Sequence, residues 1–99
     1  MKIWLDDKRR APKGYIRLRS YIACKIFLTL FKWMVTAISF DHDLGTKKTG
    51  YDIAVMIEKM AYHKKIHRIA WEVHSANPVG RDRIISAMKS AERYWEETN

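Results

Sequence analysis

Three short apolar runs, each closed by a cluster of acidic or amide side chains, constrain what this chain can fold into more than any other feature. Lys2–Leu5 is followed by Asp6 and Asp7, and Ala37–Phe40 by Asp41, His42 and Asp43. Residues 69–73, interrupted by Glu72, are followed by His74, Ser75, Ala76 and Asn77 and then by Pro78. Apolar runs of four or five residues suit buried strands, and Pro78 with the polar residues before it ends the extended pattern. Residues 15–19 alternate Tyr15, Arg17 and Arg19 against Ile16 and Leu18, which is the pattern of a half-exposed edge strand.

Helical patterns fill the gaps. Ile22, Ile26, Leu30 and Met34 recur at helical spacing, with Lys25, Thr29 and Lys32 on another face and Phe27 and Phe31 widening the stripe. Ile53, Ile57 and Met60 predict a second helix over roughly 50–64. Ile84, Met88, Ala91 and Trp95 predict a third over roughly 78–97, where Asn77 can cap the open amides and Pro78 suits the first turn. Strands alternating with helices predict a parallel sheet covered on both faces. Residues 7–14 are too few for a crossover helix. The first two strands are therefore joined by a loop, or the second is not parallel to the first.

Ninety-nine residues make one domain, spanning 1–99, and a 47% hydrophobic share with four Gly and two Pro excludes disordered and collagen-like chains. The single Cys24 closes no intrachain disulfide and excludes a Cys-based metal site, so a reducing, cytoplasmic setting is expected. The longest apolar window, 21–39, is broken by Lys25 and Lys32, so no membrane partner is expected. Trp4 is expected in the core, and Trp33, Trp71 and Trp95 in the core or an interface. An open sheet edge would permit a monomer or a weak homodimer. Residues 96–99 are expected to fray.

In an open parallel sheet, ligands bind beyond the carboxyl ends of the strands, where loops and helix N-termini converge. The acidic and His-bearing clusters fall there. A single acidic pair is well explained as turn residues or caps, but three chain-distant clusters at matching strand ends point to a site. Asp6, Asp7, Asp41 and Asp43 so gathered would repel one another unless a hard cation sat among them, and such oxygen ligands suit Mg²⁺. His63 and His67 lie in a basic stretch where solvated side chains explain them.

Five stretches carry a family resemblance. Leu5-Asp6-Asp7-Lys8-Arg9 with Pro12 and Gly14, Asp41-His42-Asp43-Leu44-Gly45, Thr49-Gly50-Tyr51-Asp52 and His74-Ser75-Ala76-Asn77-Pro78-Val79-Gly80 stand in the order and spacing seen there, together with Ile38-Ser39-Phe40 ahead of Asp41. The chain resembles the cyclic-phosphate processing receiver domain, a divergent branch of the response-regulator receiver fold. The resemblance implies a compact three-layer α/β receiver-like (flavodoxin-like) fold with a mostly parallel four-stranded sheet, lacking the fifth strand and the first helix. It places Asp6 and Asp7 at the metal-binding acidic pair, Asp41 at the phosphoacceptor position and Ser75 at the hydroxyl that contacts the phosphoryl group. Receivers also carry a Lys after a fifth strand, and this sequence has neither, which argues against phosphoryl signalling through Asp41.

Opening a cyclic phosphate needs a base to activate water and an acid to protonate the leaving alkoxide, and imidazoles suit both tasks. His42 and His74, absent from ordinary receivers, are expected to take these roles with Asp41, their rings flanking one phosphate. Arg9, Ser75 and Asn77 are expected to bind substrate oxygens, and a cation on the acids would offset phosphoryl charge. The net charge of +8 is concentrated near the expected site in Lys8, Arg9, Arg10, Lys13, Arg17, Arg19, Lys47 and Lys48. It would draw in a phosphate-bearing small molecule or an RNA terminus. The alternative expectation is a non-catalytic binding module for a phosphorylated ligand, nucleic acid or host protein, in the style of small basic phage-encoded domains.

Overall fold

Each apolar run becomes a strand, and the sheet order follows from which strands the helices can carry the chain across. The computed structural model describes residues 1–97. β1 (Lys2–Leu5), β2 (Tyr15–Leu18), β3 (Ala37–Phe40) and β4 (Ala70–Val73) form one sheet in the order β2-β1-β3-β4, parallel throughout. Between them lie α1 (Tyr21–Phe31) with a 3₁₀ turn at Lys32–Met34, α2 (Gly50–Tyr62) and, after β4, α3 (Pro78–Glu96). The direction of the second strand, open from sequence, is settled: Lys2 pairs with Tyr15 and Leu5 with Leu18 in parallel register. A loop suffices for this crossover because a strand of four residues is only about 13 Å long, well within the reach of the intervening segment.

Parallel register puts Ile3, Leu5, Ile16, Leu18, Ile38, Phe40, Trp71 and Val73 on one face. Most of them join the buried residues of the three helices in one core. The side on which the helices lie follows from handedness. The crossovers β2 to β3 and β3 to β4 travel the same way across the sheet, so right-handed connections place their helices on the same face, and α3 packs beside α2. Only the β1-to-β2 connection runs the other way, and it carries no helix. The receiver-like α/β architecture stands, but in place of a further helical layer the second face is open. It carries the half-exposed Trp4, Tyr15 and Arg17 and the exposed Lys2, Ala70 and Glu72, and closes only over Ser39.

Two expectations about packing are corrected. The stripe Ile22, Ile26, Leu30 and Met34 of the first helical segment faces outward, and the residues α1 buries are Cys24 and Leu28 on its other side. The segment is apolar nearly all round, so periodicity shows that it is a helix without showing which side packs. Trp4 is half-buried on the open face instead of in the core, because it alternates with Ile3 and Leu5, which take the core side. Trp95 is buried and Trp33 exposed. Of the C-terminal residues expected to fray, Glu96 closes α3 and Glu97 caps it, while Thr98 and Asn99 lie outside the described residues. No helix among the described residues is long and apolar enough to cross a membrane.

Candidate functional site

Parallel pairing continues one residue past each strand, and this continuation builds the site. Asp6 N donates to Leu18 O, Asp41 N to Leu5 O and His74 N to Phe40 O, at 2.9 to 3.1 Å. Asp6, Asp41 and His74 therefore stand side by side at the rim where β1, β3 and β4 end. One carboxylate oxygen from each of Asp6, Asp7 and Asp41 lies within 4.8 Å of the other two.

Asp6 is fully buried. Its Oδ1 accepts the amide N–H groups of Lys8 and Arg9, both at 2.8 Å, and its Oδ2 lies 3.0 Å from His74 Nε2 and 3.6 Å from Arg9 Nη1. Burial pushes the Asp6 carboxyl upward, but the Arg9 and Lys8 amides and His74 outweigh it and hold the group below the ordinary carboxylate value. Asp7 contributes a different signal: its Oδ1 is buried without a hydrogen-bond partner among the described residues. A buried carboxylate oxygen with no donor is costly unless something cationic meets it. Asp41 Oδ1 accepts the amide of His42 at 2.8 Å. The donor set fits a hard divalent cation, since it is all carboxylate oxygen and leaves room for water. Asp43, expected among the ligands, stands outside this group. It is exposed and bonds His42 Nδ1 at 3.1 Å and Asn77 Nδ2 at 3.3 Å, and these two bonds, His42 first, hold its carboxyl low.

The two histidines occupy different surroundings. The His74 ring stacks on the Trp4 indole, centroids 3.8 Å apart, with Ser39 Oγ 2.8 Å from Nδ1. Trp4 and Ser39 are register partners on the open sheet face, so the ring lies across the β1–β3 pair. With Nε2–H donating to the Asp6 carboxylate, Nδ1 is left to accept the Ser39 hydroxyl proton. Both ring nitrogens are engaged within the protein. His42 instead lies against the opening turn of α3, its Nδ1 toward Asp43. No bond from the described residues reaches its Nε2. The expectation that both rings flank one phosphate is not what this geometry favours: His74 is committed to Asp6, and His42 alone has a nitrogen to spare.

The residues expected to hold substrate are tied into the frame. Arg9 Nη1 donates to the His74 carbonyl at 2.8 Å. Ser75 Oγ accepts the Asn77 amide at 3.1 Å, and Asn77 Oδ1 caps α3 by accepting the Gly80 amide at 3.0 Å. Arg17 and Arg19 anchor the first acidic loop by donating to the carbonyls of Asp6 and Asp7. Three glycines keep this packing possible. Gly45 has φ +74°, and a side chain there would press on Asp7 Oδ2. A Cβ at Gly50 would overlap the Asp41 carbonyl, and one at Gly80 the His42 ring.

Sequence reasoning missed Trp4 and Ser39 as partners of His74. A signal existed: both sit at odd positions among the core-facing residues of their strands, which puts them together on the opposite face once β1 pairs with β3.

Residues 1–90 match the family described as the cyclic-phosphate processing receiver domain. Neither a curated protein nor a solved structure matches the chain. The match runs from β1 through most of α3 and so includes every strand end that forms the rim. The chain belongs to the cyclic-phosphate processing receiver domain family.

Proposed function

We propose that this domain hydrolyses a cyclic phosphate ester, with a divalent cation, Mg²⁺ best fitting the ligands, held by Asp6, Asp7 and Asp41. The observation that carries the reading is the gathering of three carboxylates, one of them with a buried oxygen that has no partner among the described residues, at the rim of a receiver-like sheet. A cation bound there supplies positive charge against the non-bridging oxygens of the phosphate.

The chain's own contribution is proton transfer and positioning. Nδ1–H of His42 donates to Asp43, which leaves the Nε2 lone pair as the base. Water gives a proton to Nε2 as its oxygen bonds to phosphorus. The ring P–O bond breaks, and the imidazolium returns the proton to the leaving alkoxide, so the product is a phosphomonoester with a free hydroxyl. His74 orients Asp6 and takes no proton from the substrate. The basic residues Lys8, Arg10 and Lys13 beside the acidic loop favour a phosphate-bearing small molecule or an RNA terminus as substrate.

The test is incubation with Mg²⁺ and a panel of 2′,3′-cyclic nucleotides, 3′,5′-cyclic nucleotides, a cyclic phosphate of ADP-ribose and an oligoribonucleotide ending in a 2′,3′-cyclic phosphate. Release of phosphomonoester from at least one substrate, lost in His42→Ala, is the expected result. Saturable binding without turnover would make the domain a binding module, a reading favoured by the engagement of both His74 nitrogens. The absence of both binding and turnover across the whole panel overturns the proposal.

A further inference from the structure

The most exposed apolar residues of the molecule include a line along one helix. Ile22, Ile26, Leu30 and Trp33, with Met34 beside them, are 54% to 68% exposed, and at this spacing they form a single stripe along α1 and the turn that follows it. Scattered exposed apolar residues need no explanation, but a contiguous stripe marks a contact surface. A shallow depression on it is lined by Ile22, Lys25, Ile26, Thr29 and Leu30. The first four of these stand at i, i+3, i+4 and i+7, the arrangement that receives one knob of a facing helix.

The charges around the stripe say what kind of helix. Lys25 and Lys32 follow one rim, with Lys48 and Lys59 beyond Lys25 in the groove toward α2. Residues 8–40 contain no Asp or Glu. A second copy pairing its own α1 here would bring lysines to lysines on a molecule already at +8, and the acid in the adjoining groove, Asp52, is already engaged by Lys48 and by the Thr49 amide. We infer that α1 docks an amphipathic helix of another protein whose apolar ridge seats along Ile22, Ile26, Leu30 and Trp33 and whose flank presents Asp or Glu to Lys25 and Lys32. Opposite charge at such flanking positions selects partner and orientation, while the apolar seam supplies the affinity.

The experiment uses two designed helical peptides with the same Leu and Ile seam, one flanked by Glu and the other by Lys, titrated into the full chain by fluorescence anisotropy. The Glu-flanked peptide should bind at least tenfold tighter. Ile26→Asp should abolish binding, the double variant Lys25→Glu/Lys32→Glu should reverse the preference, and Tyr62→Ser, an exposed aromatic change elsewhere, should leave it unaltered. Circular dichroism of each variant checks that the fold is intact. Equal binding of the two peptides, or none, overturns the inference. So does a concentration-dependent dimer abolished by Ile26→Asp, or sedimentation with phosphatidylglycerol vesicles abolished by the same change.

Discussion

The imidazole of His74 lies flat on the indole of Trp4, with the two planes 2° apart, and from that position its Nε2 meets Asp6 Oδ2 at 3.0 Å. A ring held by stacking on one side and by hydrogen bonds at both nitrogens cannot swing toward a substrate without breaking all three contacts. It can set the orientation of a buried carboxylate, as outer partners of metal ligands commonly do.

His74→Ala should therefore act on the cation before it acts on chemistry. Loss of the Asp6 partner should weaken Mg²⁺ binding by about 10- to 100-fold in calorimetric titration. It should also destabilise the fold by about 1–3 kcal/mol, because Asp6 Oδ2 stays buried with a donor removed. His42→Ala should leave Mg²⁺ affinity within about twofold and remove turnover. Equal loss of Mg²⁺ binding in the two variants would show that the histidines are not divided in this way.

Asp41→Asn and Asp43→Asn separate the carboxylates inside the group from the one outside it. A cation that binds only the folded state stabilises it by mass action, about 2.7 kcal/mol at a hundred times its dissociation constant. Saturating Mg²⁺ should raise the melting temperature of the unaltered chain, and EDTA should reverse the rise. Asp41→Asn should abolish the shift, since it removes one of three gathered oxygens, and Asp43→Asn should retain it. A shift that survives Asp41→Asn and vanishes in Asp43→Asn would move the cation to the His42–Asp43–Asn77 cluster.

The strand ends were legible in the sequence because the apolar runs are short and abrupt: once Leu5, Phe40 and Val73 are the last core-facing residues, Asp6, Asp41 and His74 must stand at the rim. The helix cap at Asn77 was legible for the same local reason. What could not be read required pairing. Trp4 and Ser39 lie 35 residues apart and become neighbours only through the β1–β3 register, so alternation within each strand puts both on the far face but does not by itself reveal the cradle that commits His74 to Asp6. The outward side of α1 was illegible for a different reason: with Cys24 and Leu28 on one side and Ile22, Ile26 and Leu30 on the other, both sides look like core, and tertiary packing decided between them.

Gly50→Ala and Gly80→Ala should fail differently. At Gly50 a new Cβ meets the Asp41 carbonyl, a backbone atom that cannot rotate away, so β3 and α2 must separate. The cost should be at least about 1–3 kcal/mol, with Mg²⁺ binding lost alongside. At Gly80 the obstacle is the His42 ring, which can turn. Gly80→Ala should melt closer to the unaltered chain, keep its Mg²⁺ affinity and lose turnover as His42→Ala does. A Gly80→Ala protein with full turnover would show that the position of the His42 ring does not matter to the reaction.

Cys24 supplies a prediction for alkaline pH. Burial in the apolar contact between α1 and the sheet pushes its thiol up to about 12 from a starting value of 9.0. A group whose ionisation is suppressed by folding leaves stability untouched below the unfolded value and erodes it above, because the unfolded chain then gives up a proton that the folded one keeps. Stability should accordingly fall between pH 9 and 12 by up to about 1.4 kcal/mol per pH unit from this group. Denaturant unfolding of the unaltered chain and of Cys24→Ala across that range isolates the effect: the difference in slope belongs to the thiol, whatever the lysines and tyrosines contribute to both. The same burial should keep Cys24 from reacting with a thiol reagent at pH 8 until the chain unfolds. Prompt modification of the folded protein would show that the contact between α1 and the sheet opens on its own, and parallel slopes in the two proteins would show that the thiol is not held neutral by the core.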